Sequence, residues 1–242
     1  MIKYVVFTDQ GNREINEDSV GYKVIGDKSC FVVADGLGGH GRGEEASALV
    51  KNVIIDSFSE ESNIDDFLEN AVSIAQEKLM KQQEILRTNN EMKTTVVGLM
   101  IDELSMKWIH VGDSRLYRFY KNKVKERTFD HSVPQMLVLA GDIKEKKIRN
   151  HPDRNRLLKV MGIEWDSPKY SVSEINNVME TQAILMCTDG FWELITEKEM
   201  RKLLKKSSTV EEWVEKMVEV IKKNGEGTNM DNYTAIAIFF EN

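Results

Sequence analysis

Prolines are scarce in this chain of 242 residues: there are three, and no Gly/Ser linker, repeat or low-complexity tract breaks the sequence. No boundary between domains is visible, so the whole span 1–242 reads as one domain, a length that a β-rich fold accommodates. Cysteines are scarcer still. Cys30 and Cys187 each lie inside an apolar run, which points to buried free thiols and excludes a disulfide framework or a zinc spacing. No apolar stretch approaches the ~18 residues of a membrane span, and Met1 to Phe7 are too few and too mixed for a signal peptide. A cytoplasmic protein without membrane partners is expected. Net positive charge is also lacking. The net charge is −7, and a nucleic-acid partner would need a basic stripe.

What is present is the profile of a folded globular protein, 41% hydrophobic and 30% charged. Apolar patterning predicts strands at 4–8, 19–25, 31–34, 94–101, 106–111, 116–120, 183–187 and 233–240. Short turns among the three middle strands suggest antiparallel pairing. Helices are expected over about 43–58, from about Asn63 onward, and behind two capping boxes, Thr196 with Glu199 and Thr209 with Glu212. Strands and helices come in blocks, which favours an α+β layered sandwich of antiparallel sheets covered by helices. The polar stretch 130–167, with its Lys144-Glu145-Lys146-Lys147 cluster, reads as a flap-like insertion that moves beside a site.

Two apolar strands end in Asp-Gly, at Asp35-Gly36 and Asp189-Gly190. A carboxylate at a strand end is aimed by a rigid element, and the glycine lets backbone, including its own carbonyl, approach a cation. Alone, each is also compatible with a simple turn. The run Gly36-Leu37-Gly38-Gly39-His40-Gly41-Arg42-Gly43 is too long for a two-residue hairpin. It lacks the Lys-Ser/Thr ending of a P-loop. It does fit Gly-x-Gly-x-x-Gly, but Asp35 directly before it would repel a pyrophosphate unless a metal intervened. Further acidic sites are Asn16-Glu17-Asp18, Gly112-Asp113-Ser114-Arg115 in a tight turn, and Asp231-Asn232. Each alone is more often a cap or a turn.

Taken in order, these segments resemble the motifs of the metal-dependent protein phosphatase family, the PPM or type 2C phosphatases. The resemblance runs from Thr8-Asp9-Gln10-Gly11-Asn12-Arg13 through Asn16-Glu17-Asp18 and Asp35-Gly36-Leu37-Gly38-Gly39-His40 to Gly112-Asp113-Ser114-Arg115. It continues through Asp130-His131-Ser132, His151-Pro152, Thr188-Asp189-Gly190 and Asp231-Asn232. It implies a four-layer α-β-β-α sandwich, two central antiparallel sheets flanked by helix pairs. It implies serine/threonine phosphatase activity with two or three Mn²⁺ or Mg²⁺ ions, the phosphorus being attacked directly by water or hydroxide bridging two of them. By position, Asp35 would bridge two ions, Asp189 and Asp231 would serve one, and the Gly36 carbonyl, Glu17 and Asp18 the other. Asp113 would hold a third together with Asp189, and Arg13 would bind the phosphate. Leu37 stands where eukaryotic members have a histidine proposed as general acid and bacterial members have an apolar residue. His40 is then either a substitute acid or a structural loop residue. Trp192 reads as packing. Substrates would be phosphorylated Ser/Thr proteins, with a cognate Ser/Thr kinase. A relative that binds phosphoproteins without catalysis is the alternative; here every metal position keeps its carboxylate. A metal-dependent nuclease shares the chemistry but would need a basic surface.

Overall fold

The computed structural model describes residues 2–38, 41–88 and 91–240. Strands β1 (Ile2–Asp9), β2 (Asp18–Ile25) and β3 (Lys28–Asp35) are followed by helices α1 (Gly43–Ser57) and α2 (Phe67–Leu86). Next come β4 (Val96–Asp102), β5 (Ser105–Val111), β6 (Arg115–Tyr120), β7 (Lys123–Arg127) and α3 (Val133–Ala140), then a 3₁₀ turn at Glu145–Asn150. The two-residue strands β8 (Ser171–Val172) and β9 (Asn176–Asn177) lead to β10 (Ala183–Cys187), α4 (Asp189–Trp192), α5 (Glu197–Leu204), α6 (Val210–Gly225) and β11 (Tyr233–Phe240).

The strands form two antiparallel sheets. One has the order β1-β11-β10-β6-β7, the other β2-β3-β4-β5-β8, with β9 also on β5. Alternation along a strand sends successive side chains to opposite faces. On β3, Cys30 and Val32 face α1 and α2, while Phe31 and Val33 face the sheet that holds β10 and β11. On β11, Ala235 and Ala237 lie under Trp213 and Met217 of α6, while Ile236 and Ile238 fill the space between the sheets. Both sheets are thus covered on both faces, which is why these strands read as continuous apolar runs rather than as alternations. The result is the expected four-layer α-β-β-α sandwich. Both cysteines are free and buried. Among the described residues, no helix is long and apolar enough to cross a membrane.

Three local expectations are corrected. β4 and β5 pair, but β5 and β6 belong to different sheets, so the Gly112-Asp113-Ser114 turn crosses the sandwich instead of closing a hairpin. The second helix begins at Phe67 rather than Asn63, because Asn63 Oδ1 accepts the Asp65 N–H and holds a turn there. The capping box of α5 is complete, Thr196 and Glu199 serving each other. In α6 it is half-made: Thr209 Oγ1 accepts the Glu212 N–H, while Glu212 accepts from Ser208 N–H and Lys216.

Candidate metal centre

The acidic residues all arrive at one end of the sandwich. Asp18 opens β2 and Asp35 closes β3, and the two are direct cross-strand partners. Asp189 follows β10 as the first residue of α4, and Asp231 stands two residues before β11. The crossing turn after β5 adds Asp113, so both sheets contribute. A cavity of about 650 Å³ opens there, lined by Glu17, Asp35, Gly36, Asp113, Asp189 and Asp231, with Arg13 also in its wall. His40 lies outside the described residues.

Hydrogen bonds hold these groups in place. The Asp35 N–H donates to Thr95 Oγ1 (3.2 Å), and Thr95 N–H donates to the Asp35 carbonyl (2.8 Å). Thr188 Oγ1 donates to Asp18 Oδ2 at 2.9 Å and accepts the Thr234 N–H at 3.0 Å, so its lone proton is aimed at the carboxylate. Asn232 Oδ1 accepts the Glu17 N–H at 2.8 Å, while its amide donates to the Gln10 and Ile15 carbonyls. Glycine is required beside the carboxylates: a Cβ on Gly36 would collide with the Gly43 carbonyl, and one on Gly190 with the Asn232 carbonyl. Trp192, expected only as packing, does more. Its Nε1–H donates to the Asp113 carbonyl at 3.0 Å, and the Arg115 guanidinium lies 3.4 Å from its ring centre. Arg115 is held bidentately by buried Asp130 at 2.7 and 2.6 Å.

Thr95, Thr188, Asn232 and Trp192 as positioning groups were missed by sequence reasoning, although Thr188 and Asn232 flank the ligand candidates in the motifs. Lys93, which also lines the cavity, carried no signal of its own, whereas residues 155–158 lie in the stretch 130–167 expected beside the site, and Asn155 belongs to the motif Arg154-Asn155 that follows His151-Pro152 in the family's order.

The electrostatics are those of an uncompensated acidic cluster. Burial, then repulsion from Asp189, Asp18, Asp113 and Asp231, pushes Asp35 well above the usual carboxylate range. Burial, then Asp113, Glu193, Asp231 and Asp18, does the same to Asp189. Asp18 and Asp113 are each pushed up to about 7, mainly by burial. Glu17 is raised by burial and by Glu44. None of the leading influences on Asp35 or Asp189 is a positive charge. Buried carboxylates without a countercharge are costly, and either protonation or a cation relieves them. Among the described residues, no three His, Cys, Asp or Glu side chains close up into a finished ligand set. Asp231 turns to Arg13 and Asp18 to Thr188. An oxygen-only, partly open donor set of this kind suits Mg²⁺ or Mn²⁺, which retain waters in their shells. The residues present fit such ions.

A sandwich of this type, with carboxylates converging at one end, defines the class of phosphoester hydrolases expected from the motif order. The family model for protein phosphatase 2C matches residues 9–233, and the chain belongs to that family. Metal-dependent protein phosphatase activity and the two-sheet fold stand with it. The chain is 30% identical to the serine/threonine phosphatase stp of Listeria innocua, over 96% of this chain and 93% of that one. It superimposes on the crystal structure of the serine/threonine phosphatase Stp1 from Staphylococcus aureus with a TM-score of 0.89 at 28% identity, covering 100% of this chain and 96% of that one. In fold it also matches the catalytic domain of the phosphatase PstP in complex with 2 manganese ions, with a TM-score of 0.78 at 23% identity, covering 98% of this chain and 97% of that one.

Proposed function

We propose that the chain hydrolyses phosphoserine and phosphothreonine monoesters of proteins, using two divalent cations, Mn²⁺ or Mg²⁺, and a third more weakly held. The observation that carries this reading is the pair Asp35 and Asp189, both half-buried at a cavity wall, desolvated and with only like charges as their leading neighbours. Asp35 would serve both tight ions. Asp189 and Asp231 would complete one shell, and the Gly36 carbonyl with Glu17 and Asp18 the other. Asp113 would serve the third ion together with Asp189. When bound, such ions neutralise phosphate charge and lower the pKa of water, which removes the need for a protein nucleophile.

The chain's own groups do the rest. Arg13, half-exposed on the rim, can turn its fork from Asp231 to two phosphate oxygens. Thr188 fixes the Asp18 carboxylate beside Asp35, and Asn232 fixes the backbone of Glu17 at the cavity wall. Residues 155–158, within the flap, form the wall that a phosphopeptide would meet. The substrates on this reading are cytoplasmic phosphoproteins, modified by a cognate Ser/Thr kinase.

Incubation with Mn²⁺ and three substrates tests the reading: a phosphothreonine peptide, p-nitrophenyl phosphate and DNA. Hydrolysis of the first two alone supports it. Binding of the phosphopeptide without turnover would favour a non-catalytic relative, and cleavage of DNA a nuclease.

A further inference from the structure

His131 stands where three segments meet. Its N–H donates to the Gly112 carbonyl at 2.9 Å, and its Nδ1 accepts the Gly112 N–H at 3.1 Å. One residue thus takes both backbone groups of Gly112, the residue before Asp113. Gly112 has φ of 100°, a conformation that side chains rarely adopt, and a Cβ there would lie 2.5 Å from the Thr95 methyl. On its other edge, the His131 carbonyl accepts the Leu158 N–H at 2.8 Å, and the Val133 N–H donates to the Arg156 carbonyl at 3.0 Å. Ser132 and Leu157 form a bridge between them. Arg156, Leu157 and Leu158 line the cavity. A short ladder therefore runs from the flap wall through His131 to the Asp113 turn.

The ring chemistry agrees with this placement. Nδ1 can accept only when the imidazole is neutral and its proton sits on Nε2, which faces Ser171 Oγ at 2.9 Å. Burial, with His110 and Lys159 nearby, pushes the His131 pKa down to about 3, so the acceptor persists at neutral pH. The His110 ring stacks on it at 4.5 Å and 12°, and is itself fixed by the Phe129 carbonyl at 2.8 Å. The ring can neither tilt nor flip without losing one of these contacts.

We infer that His131 is a positioning residue that couples the flap wall at 156–158 to the Asp113 turn, so that displacement of that wall by a substrate changes the hold on the cation assigned to Asp113. This rests on the reading of Asp113 proposed above.

The test combines calorimetric Mn²⁺ titration with amide hydrogen exchange at Gly112 and Leu158. His131→Gln moves the acceptor away from Gly112. It is expected to weaken the weakest ion about 3–10-fold, the scale of one hydrogen bond, to leave the tighter ions unchanged, and to quicken exchange at both amides. His131→Asn places an oxygen near the Nδ1 position and should restore most of the Gly112 protection and the ion. Ser171→Ala, outside both the turn and the flap, should give the His131→Gln pattern at smaller size, and it decides the matter if His131→Gln folds poorly. Quickened exchange at Gly112 with Leu158 unchanged in either variant would overturn the coupling. So would equal loss of all ions, or identical effects of Gln and Asn. Asp113→Ala separates the two readings. If it leaves the ion count unchanged, the assignment of Asp113 fails, while the exchange data still decide whether His131 couples wall and turn.

Discussion

Arg13 Nη2 lies 2.8 Å from Asp231 Oδ2, so the guanidinium proposed to grip phosphate is held by a carboxylate proposed to grip a cation. Both side chains are more than 40% exposed, so the pair contributes little to stability, about 0–1 kcal/mol. Its consequence is for function: each partner is available to exchange the other for a ligand of opposite charge. Arg13→Ala should lower kcat/KM about 10–150-fold, the loss of one charge-assisted contact of ~1.5–3 kcal/mol. The number of bound cations should stay the same, because arginine is not a ligand. Lysine should rescue only in part, since a point charge cannot reproduce the fork. Steady-state kinetics beside a metal titration checks this, and an unchanged kcat/KM would return Arg13 to the solvated surface.

The raised carboxyls make the metal-free protein sensitive to pH in an unusual direction. Asp18 and Asp113 are pushed up to about 7, against ~3.9 in an unfolded chain. Between those values the folded state binds protons that the unfolded state does not, so stability falls as pH rises. Asp35 and Asp189, raised in the same direction, add to the fall. In EDTA the melting temperature should therefore be higher near pH 5.5 than at pH 8, and saturating Mn²⁺ should abolish the difference by neutralising the ionised cluster. Scanning calorimetry at both pH values decides. A metal-free melting temperature that rose toward pH 8 would mean that the cluster is not buried as described.

The Arg115–Asp130 pair is the buried counterpart of the Arg13 bridge, 1–2% exposed on its side chains and bidentate. Removing one partner strands the other, at a cost of about 3–5 kcal/mol. Asp130→Ala should lower stability by that amount, measured by urea denaturation. It should also loosen Trp192, whose ring lies under the guanidinium and whose Nε1–H holds the Asp113 carbonyl. A change below ~1 kcal/mol would show the pair to be dispensable.

Much of this fold was legible because burial on both faces writes an unbroken apolar run. β10 and β11 begin and end at the residues expected from such runs. β7, whose residues Lys123–Arg127 are mostly exposed and polar, reads as loop, and the four residues of α4 are too few to show a helical period. The turn Gly112-Asp113-Ser114 looks the same in sequence whether it closes a hairpin or crosses between sheets. Only the packing of β5 and β6 into different layers distinguishes them. The carboxylates were legible because each sits at the end of a strand or in a glycine turn of recognisable motif order. Their supports were not. Asn232 reaches the Glu17 backbone 215 positions away, and Thr188 reaches Asp18 170 positions away. Contacts of that range leave no local pattern.

Catalysis on this reading needs cations held by Asp35 and its neighbours. The most direct test is turnover of a phosphothreonine peptide by protein stripped exhaustively with EDTA, assayed before and after Mn²⁺ is restored, for the wild type and Asp35→Asn. The stripped wild type should show no turnover and recover fully with Mn²⁺, and Asp35→Asn should not recover. Full activity of the stripped protein, or near wild-type recovery in Asp35→Asn, would contradict this reading.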